Sequence, residues 1–112
     1  MKSVHLNQEL VLEARQSVSD GAGGMQSGWV RLGTLWAEVR GGSGRIAGGA
    51  AQVVSETAYR IVVRAAPVGS PARPVAGQRL RSGVRVWQIE AVREYDHAAR
   101  FLICFAKEEV AA

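Results

Sequence analysis

The sequence has few of the residues from which metal, redox and nucleophilic sites are built. It has one cysteine and two histidines in 112 residues, so neither an intrachain disulfide nor a thiolate metal cluster can form. Cys104 lies in the apolar run of residues 101–106, so we expect it to be buried. Burial raises the pKa of a thiol and so opposes thiolate chemistry. His5 and His97 have no second ligand at a useful spacing, and we expect His97 to be exposed in a turn. We therefore expect no metal site.

Long apolar runs and nucleotide-binding motifs are also absent. No window approaches the roughly 18 apolar residues of a membrane span, and polar residues interrupt the N-terminus before a signal-like run develops. The chain is therefore expected to stay in the cytoplasm. Residues 42–48 space their glycines as GxGxxxG, one residue too long for a dinucleotide fingerprint, and they lack its βαβ context. No GxSxG elbow occurs, and carboxylates stand singly apart from Glu108 and Glu109. We expect no cofactor, no catalytic residue and no enzymatic activity.

Positive charge is present, and it is unevenly distributed. The net charge of +4 is the sum of zero over residues 1–56, +6 over residues 57–93 and −2 over residues 94–112. The middle block holds seven arginines against Glu90 alone. Arginine is favoured where planar, bidentate contacts to carboxylate or phosphate are made. The block is interpreted either as solvated strand faces or as a set of subunit or DNA contacts, for which the candidates are Arg60, Arg64, Arg79 and Arg81.

Alternating apolar and polar residues predict an all-β domain. The predicted strands are residues 9–15, 29–40, 57–66, 78–80, 84–93 and 100–107, with a bulge or bend at Gly33, where the apolar phase changes. A turn is predicted at Ser82 and Gly83, and a single helical turn at residues 51–56. Three flexible loops are predicted at residues 19–28, 41–50 and 67–77. Five or six antiparallel strands without a long helical pattern indicate one domain, residues 1–112, folded as a small β-barrel or sandwich.

The glycine-rich loop at residues 41–50 is the candidate functional segment. Five of its ten residues are glycine, and glycine loses more backbone entropy on ordering than any other residue, so the loop is expected to be mobile in the free chain. Arg45 is its one charged residue, and we expect it to contact a neighbouring chain or a DNA phosphate. The candidate residues are Gly41, Gly42, Ser43, Gly44, Arg45, Ile46, Gly48 and Gly49.

The aromatic residues bear on whether the chain binds nucleic acid. Trp36 and Trp87 fall within predicted strands, so we expect both in the core; Trp29 is equally compatible with capping the barrel or reaching a neighbour. A single-stranded nucleic acid binder would place aromatic residues and arginines on one strand face. Tyr59 and Arg60 are adjacent and so face opposite sides of a sheet, which weakens the nucleic-acid interpretation without removing it.

The order of these features resembles the phage head–tail joining family, the stopper or head-closure proteins of tailed phages and gene-transfer particles. Residues 34–39 (TLWAEV) look like the family's vWA-x-V strand, and residues 43–45 (SGR) follow as its serine-glycine-arginine step. Residues 55–64 (SETAYRIVVR) look like its SE-x-x-x-R-I-x-x-R strand. A proline-bearing loop then precedes residues 86–92 (VWQIEAV), and a hydrophobic strand closes the chain. Ile46 departs from the pattern, since an acidic residue is common there.

The resemblance implies a β-barrel protomer in a homo-oligomeric ring of six copies. The ring would sit in the neck of a virion or phage-like particle, between the portal-bound adaptor and the tail, with double-stranded DNA passing through its channel. In that family the loop at the position of residues 41–50 can project into the channel and close it. An adaptor or tail-terminator ring protein is the nearest alternative, and a nucleic-acid-binding β-barrel is the alternative from another class.

Overall fold

The computed structural model describes residues 3–19, 21–41 and 58–109, without the side chains of Val18 and Gln26. No helix among these residues is long and apolar enough to cross a membrane. The described residues form six strands: β1 (Gln8–Ser19), β2 (Met25–Gly41), β3 (Ala58–Arg64), β4 (Arg79–Ser82), β5 (Arg85–Glu94) and β6 (Phe101–Glu108).

The six strands close into one barrel in the order β1-β2-β3-β6-β5-β4. Every neighbouring pair is antiparallel, and β1 closes the barrel by pairing with both β2 and β4. Closure pairs backbone groups that would otherwise form a sheet edge, but β1 pairs with β4 only over residues 11–13 and β2 with β3 only over residues 37–41, so much of the β1–β2 hairpin extends beyond these pairings. The predicted all-β fold of five or six antiparallel strands is confirmed, and the predicted strand positions differ from the observed ones mainly at their ends.

The barrel interior is filled by the inward side chains of all six strands. Ile61 and Val63 are fully buried in the core and Arg60 and Arg64 are exposed, as the expected alternation in β3 requires, but Val62, on the face of the two arginines, is fully buried as well. Trp87 is fully buried, as predicted. Cys104 is buried too, and desolvation raises the pKa of its thiol to about 12. The core consists of Leu10, Leu12, Ala37, Ile61, Val63, Leu80, Trp87, Ile89, Leu102, Cys104 and Ala106.

The bulge predicted at Gly33 is confirmed. In the pairing of β1 with β2, Leu12 is opposite Gly33 while Glu13 is opposite Arg31, so Leu32 has no residue opposite it. The extra residue allows Leu32 and Leu35, three positions apart, both to pack against the core. A strand without a bulge would direct these two side chains to opposite faces.

The β4–β5 hairpin turns where the sequence predicted. Ser82 pairs with Arg85, and the two residues between them, Gly83 and Val84, form the turn. Gly83 has a φ of 60°, as the first central residue of a type II′ turn requires. Residues 65–78 form the expected proline-bearing loop, in which Pro74 is buried.

The predicted loop at residues 19–28 is wrong in extent. Ser19 ends β1, and residues 25–28 belong to β2, where they pair in continuous register with Ser19 to Gln16. Glycine and serine suggested a loop, but backbone hydrogen bonds between the two arms of a hairpin do not require apolar side chains. The helical turn predicted at residues 51–56 lies outside the described residues.

Candidate interaction surfaces

The glycine-rich candidate segment leaves the barrel at the end of β2. Gly41 is the last residue of that strand and pairs with Tyr59 near the start of β3. The remaining candidates, Gly42, Ser43, Gly44, Arg45, Ile46, Gly48 and Gly49, lie outside the described residues. The structure therefore shows where the segment begins and where the chain re-enters the barrel.

A cluster of aromatic and charged side chains holds the barrel together at this point. The Arg85 guanidinium donates to the Glu108 carboxylate at 2.8 and 3.1 Å and to the Tyr59 hydroxyl at 3.1 Å. It also lies 4.7 Å from the Trp87 ring centroid. These hydrogen bonds hold the pKa of Glu108 below its ordinary value and raise that of Arg85. We call Tyr59, Arg85, Trp87 and Glu108 the root cluster, because they tie β3, β5 and β6 together beside Gly41.

Two of the four candidate arginines form ion pairs within the chain. Arg79 and Arg81, on the outer face of β4, donate to opposite oxygens of Glu13 on β1, at 2.6 and 3.1 Å. Burial raises the pKa of Glu13, but the hydrogen bonds from both arginines outweigh it, so the net pKa lies below its ordinary value. Contacts from Arg79 and Arg81 to another chain or to DNA stay a prediction.

Trp29 is held on the outer surface beside this pair. Its ring centroid lies 4.1 Å from the Arg79 guanidinium and 5.3 Å from that of Arg15. Trp29 is partly buried between these two arginines, and whether it caps the barrel or reaches a neighbouring chain stays a prediction. Stacking of this kind stabilises an aromatic side chain that lies outside the core.

The other two candidate arginines face outward without an ion pair. Arg60 and Arg64 are exposed on β3, and neither forms an ion pair with a residue in the described ranges. In register beside them on β6 lie Phe105 and Phe101, and Arg93 on β5 is opposite Ile103. The guanidinium groups of Arg60 and Arg93 lie 5.9 and 5.4 Å from the Phe105 ring centroid. We call this surface of β3, β5 and β6 the arginine–phenylalanine face.

The sequence contained a signal for this face that the strand-by-strand interpretation did not use. Residues 101–106 are all apolar, so a strand there must place three apolar side chains outside any barrel whose interior takes the other three. Leu102, Cys104 and Ala106 face inward, while Phe101, Ile103 and Phe105 are partly exposed. Tyr59 and Arg60 face opposite sides of the sheet, as predicted. Phe105, on the neighbouring strand β6, nevertheless brings an aromatic ring to the side that carries Arg60.

The prediction that Trp36 packs in the core is wrong. Its neighbours Leu35 and Ala37 face the interior, and alternation therefore directs Trp36 outward, where its side chain is 55% exposed. It lines an open groove of about 550 Å³, together with Leu6, Thr34, Arg64, Ala65 and Ala72. We call this groove the Trp36 groove. The predicted alternation of Leu35, Ala37 and Val39 already contained the signal for an outward Trp36.

The residues that could support chemistry are dispersed. Cys104 is buried within the barrel, and His97 is exposed in the β5–β6 connection, as expected. Asp96, beside it, accepts hydrogen bonds from the Arg100 backbone and guanidinium, at 2.9 and 3.0 Å, and thereby braces the connection. Across residues 3–19, 21–41 and 58–109, no three His, Cys, Asp or Glu side chains are grouped where they could hold a metal ion.

Comparison with known proteins identifies the family. A family model described as "Phage head completion protein" matches residues 1–109. The chain belongs to the phage head completion protein family. A solved chain from the "Virion of native gene transfer agent (GTA) particle" is 46% identical and has a TM-score of 0.74; the match covers 94% of this chain and 96% of that one. A search of curated proteins finds no match.

Family membership confirms the resemblance seen in the sequence motifs. A head completion protein is part of the virion, so the expected place in a virion or phage-like particle is confirmed. The structural contribution of this head completion protein therefore depends on contacts with other head and tail proteins. The Trp36 groove, the arginine–phenylalanine face and the end of the barrel at Gly41 are the surfaces that the described residues offer for such contacts.

Proposed function

We propose that this head completion protein is a ring-forming stopper, which joins the portal or adaptor to the tail and gates the DNA channel. The observation that carries the proposal is the 46% identity over nearly the whole length to a chain of a gene transfer agent virion. The protein acts by binding and not by catalysis. The buried Cys104 thiol, with its pKa of about 12, fits that proposal because so little of it ionises at neutral pH.

Ring formation has two kinds of surface available. The barrel is closed, but β2 pairs with β3 only over residues 37–41 and β1 pairs with β4 only over residues 11–13, so the long β1–β2 hairpin keeps strand edges to which a neighbouring copy could add a strand. The arginine–phenylalanine face supplies apolar area and cations without an ion pair. In a ring of six copies every contact is repeated at each subunit boundary, so a modest surface on one protomer can still contribute substantially to the assembly.

The proposed gate is the segment that begins at Gly41 and carries Arg45. Its glycine content lowers the barrier between alternative backbone conformations, which a gate needs. The root cluster supports the proposal from the barrel side, because it braces β3, the strand that follows the segment, against β5 and β6. A gate must move relative to a base that stays in place, and Arg85 with Glu108 and Tyr59 forms such a base.

Deletion of residues 42–49 in assembled particles tests this function. We expect the isolated deletion variant to unfold at nearly the same temperature as the parent chain, because the described core is made of residues outside the segment. Filled particles that carry it are expected to release DNA, measured as DNA accessible to added nuclease. An Arg45→Ala variant of full length separates the charge from the length of the segment. Particles that retain all their DNA after the deletion would contradict the gate.

The alternative functions predict a different position in the particle or a different affinity for DNA. An adaptor or tail-terminator ring would occupy the ring above or below the proposed one. A nucleic-acid-binding barrel is favoured by one observation, the placement of Phe105 between Arg60 and Arg93. Such a protein would bind short DNA as a monomer with steep salt dependence. A stopper would show little affinity as an isolated chain.

A further inference from the structure

Trp36 is exposed on the barrel wall, where a tryptophan side chain adds little to the stability of the protomer. Five large apolar side chains other than Trp36 are strongly exposed among the described residues, and none of these is aromatic. Tryptophan and arginine are the residues most enriched where protein partners bind tightly. Trp36 and Arg64 line the same groove.

The groove is apolar apart from this arginine and the hydroxyl of Thr34. Leu6, Ala65 and Ala72 contribute small or aliphatic surface to it, which suits an apolar side chain better than a phosphate. Binding to duplex DNA relies on several cations placed along the backbone, and the groove has one. The chemistry of the groove therefore favours a protein segment over nucleic acid.

Charge indicates what that segment carries. Arg64 forms no ion pair with any residue in the described ranges, and neither do Arg60 and Arg93 on the adjoining face. Glu9, directly opposite Trp36 on β1, is exposed and has no ion pair in those ranges either. A carboxylate from a different protein would complement Arg64, and a head completion protein in a virion has other head and tail proteins as neighbours.

We propose that the Trp36 groove binds an extended segment of a different protein of the particle, which packs an apolar side chain on Trp36 and pairs a carboxylate with Arg64. This inference does not depend on the ring or the gate. It concerns how the head completion protein is held by its neighbour in the particle, and it holds whether or not residues 42–49 close the channel.

Site-specific photo-cross-linking in assembled particles tests the proposal. A benzoylphenylalanine at Thr34, which lines the groove and is exposed, is expected to cross-link to a different protein, at a peptide that contains Asp or Glu next to an apolar residue. The same residue at Val84, which is 97% exposed at the β4–β5 turn, is the control and should not capture that peptide. Cross-links from Thr34 to DNA or to a second copy of this chain, or no cross-link, would overturn the proposal.

Charge reversal then separates binding from folding. Arg64→Glu and Trp36→Ala are each expected to reduce the yield of tailed, DNA-filled particles about tenfold or more, while the isolated chain still folds and loses less than about 1 kcal/mol of stability. Arg31→Glu, at an exposed arginine of β2 outside the groove, is the matched control, and its yield should stay within about twofold. Substitution of arginine for the acidic residue in the cross-linked peptide is expected to restore the yield of Arg64→Glu. Wild-type yields from Trp36→Ala and Arg64→Glu, or no restoration by the second change, would contradict the proposal.

Discussion

At the scale of single residues, six of the seven arginines between residues 57 and 93 divide into two groups with different consequences. The seventh, Arg73, donates a hydrogen bond to the Ala66 carbonyl at 3.0 Å. Arg79, Arg81 and Arg85 are ion-paired to glutamates of the same chain, so their charge contributes to the cohesion of the barrel. Arg60, Arg64 and Arg93 are exposed and have no such partner among the described residues. Composition predicted a basic block, but only the strand register shows which of its members are available to another molecule.

The Glu13 carboxylate should account for part of the acid sensitivity of the fold. Its pKa is lowered in the folded state, so its stabilising contribution is present above its ordinary pKa and is lost as pH falls through the folded value. We expect Glu13→Gln to lower the free energy of unfolding by about 1–2 kcal/mol at neutral pH, and by much less near pH 3. Urea unfolding at the two pH values measures this difference.

Glu90→Gln is the control for that experiment. Glu90 forms an exposed pair with Lys107 at 3.8 Å, and such pairs contribute between zero and about 1 kcal/mol. We expect little change at either pH. A Glu13→Gln protein as stable as the parent chain at both pH values would contradict a stabilising contribution from the pairs with Arg79 and Arg81.

Trp36 of β2 and Trp87 of β5 should respond differently to truncation. Trp87 is fully buried, so Trp87→Ala is expected to cost about 3–5 kcal/mol of stability. Trp36 is 55% exposed, so Trp36→Ala should cost less than about 1 kcal/mol. Thermal and urea unfolding of both variants measures the difference in stability loss. In fluorescence, we expect the emission of Trp36 to lie to the red of the emission of Trp87. Equal losses from the two variants would show that Trp36 is not on the surface.

At the scale of elements, the β4–β5 turn gives a direct test of backbone conformation. Gly83 has a φ of 60°, and nothing lies within 4 Å of the position that a Cβ would take, so Gly83→Ala adds strain without a clash. We expect a loss of about 1–2 kcal/mol. Gly28→Ala in β2 is the matched control, because Gly28 also has open space but no positive φ. Urea unfolding should show that Gly28→Ala is neutral or slightly stabilising. A Gly83→Ala protein that is as stable as the Gly28→Ala protein would contradict the turn type.

Most of the elements could be predicted from the sequence because period-2 alternation survives in a barrel that buries one face. Ile61 and Val63 against Arg60 and Arg64 are the clearest case, and the phase change at Gly33 predicted a bulge. The start of β2 could not be predicted, since Ser27 and Gly28 pair through backbone groups that every residue has. Polar hairpin arms resemble loops in composition.

The candidate surfaces were less predictable for a different physical reason. Alternation predicts that Trp36 points away from Leu35 and Ala37, but whether an outward tryptophan is covered depends on tertiary packing that no local pattern encodes. The encounter of Phe105 with Arg60 and Arg93 depends on the order β3-β6-β5. That order brings Phe105 beside Arg60, which is more than 40 positions away in the sequence, and neither propensity nor spacing predicts it.

At the scale of the whole molecule, the barrel presents three surfaces to which we assign different contacts. The root cluster and Gly41 are at one end of β3, and the Trp36 groove with Arg64 is at its other end. The arginine–phenylalanine face lies on the wall and shares Arg64 with the groove. We propose that one end of the protomer faces the channel while its other end and its wall contact neighbouring chains, an arrangement that is compatible with the proposed ring.

Electron cryomicroscopy of the assembled particle neck tests the central proposal most directly. We expect a closed ring of copies of this chain between head and tail, with residues 42–49 directed at the DNA channel and the Trp36 groove occupied by a segment of another protein. Copies that lie outside the neck, or a ring in which residues 42–49 face away from the DNA, would contradict the proposed function.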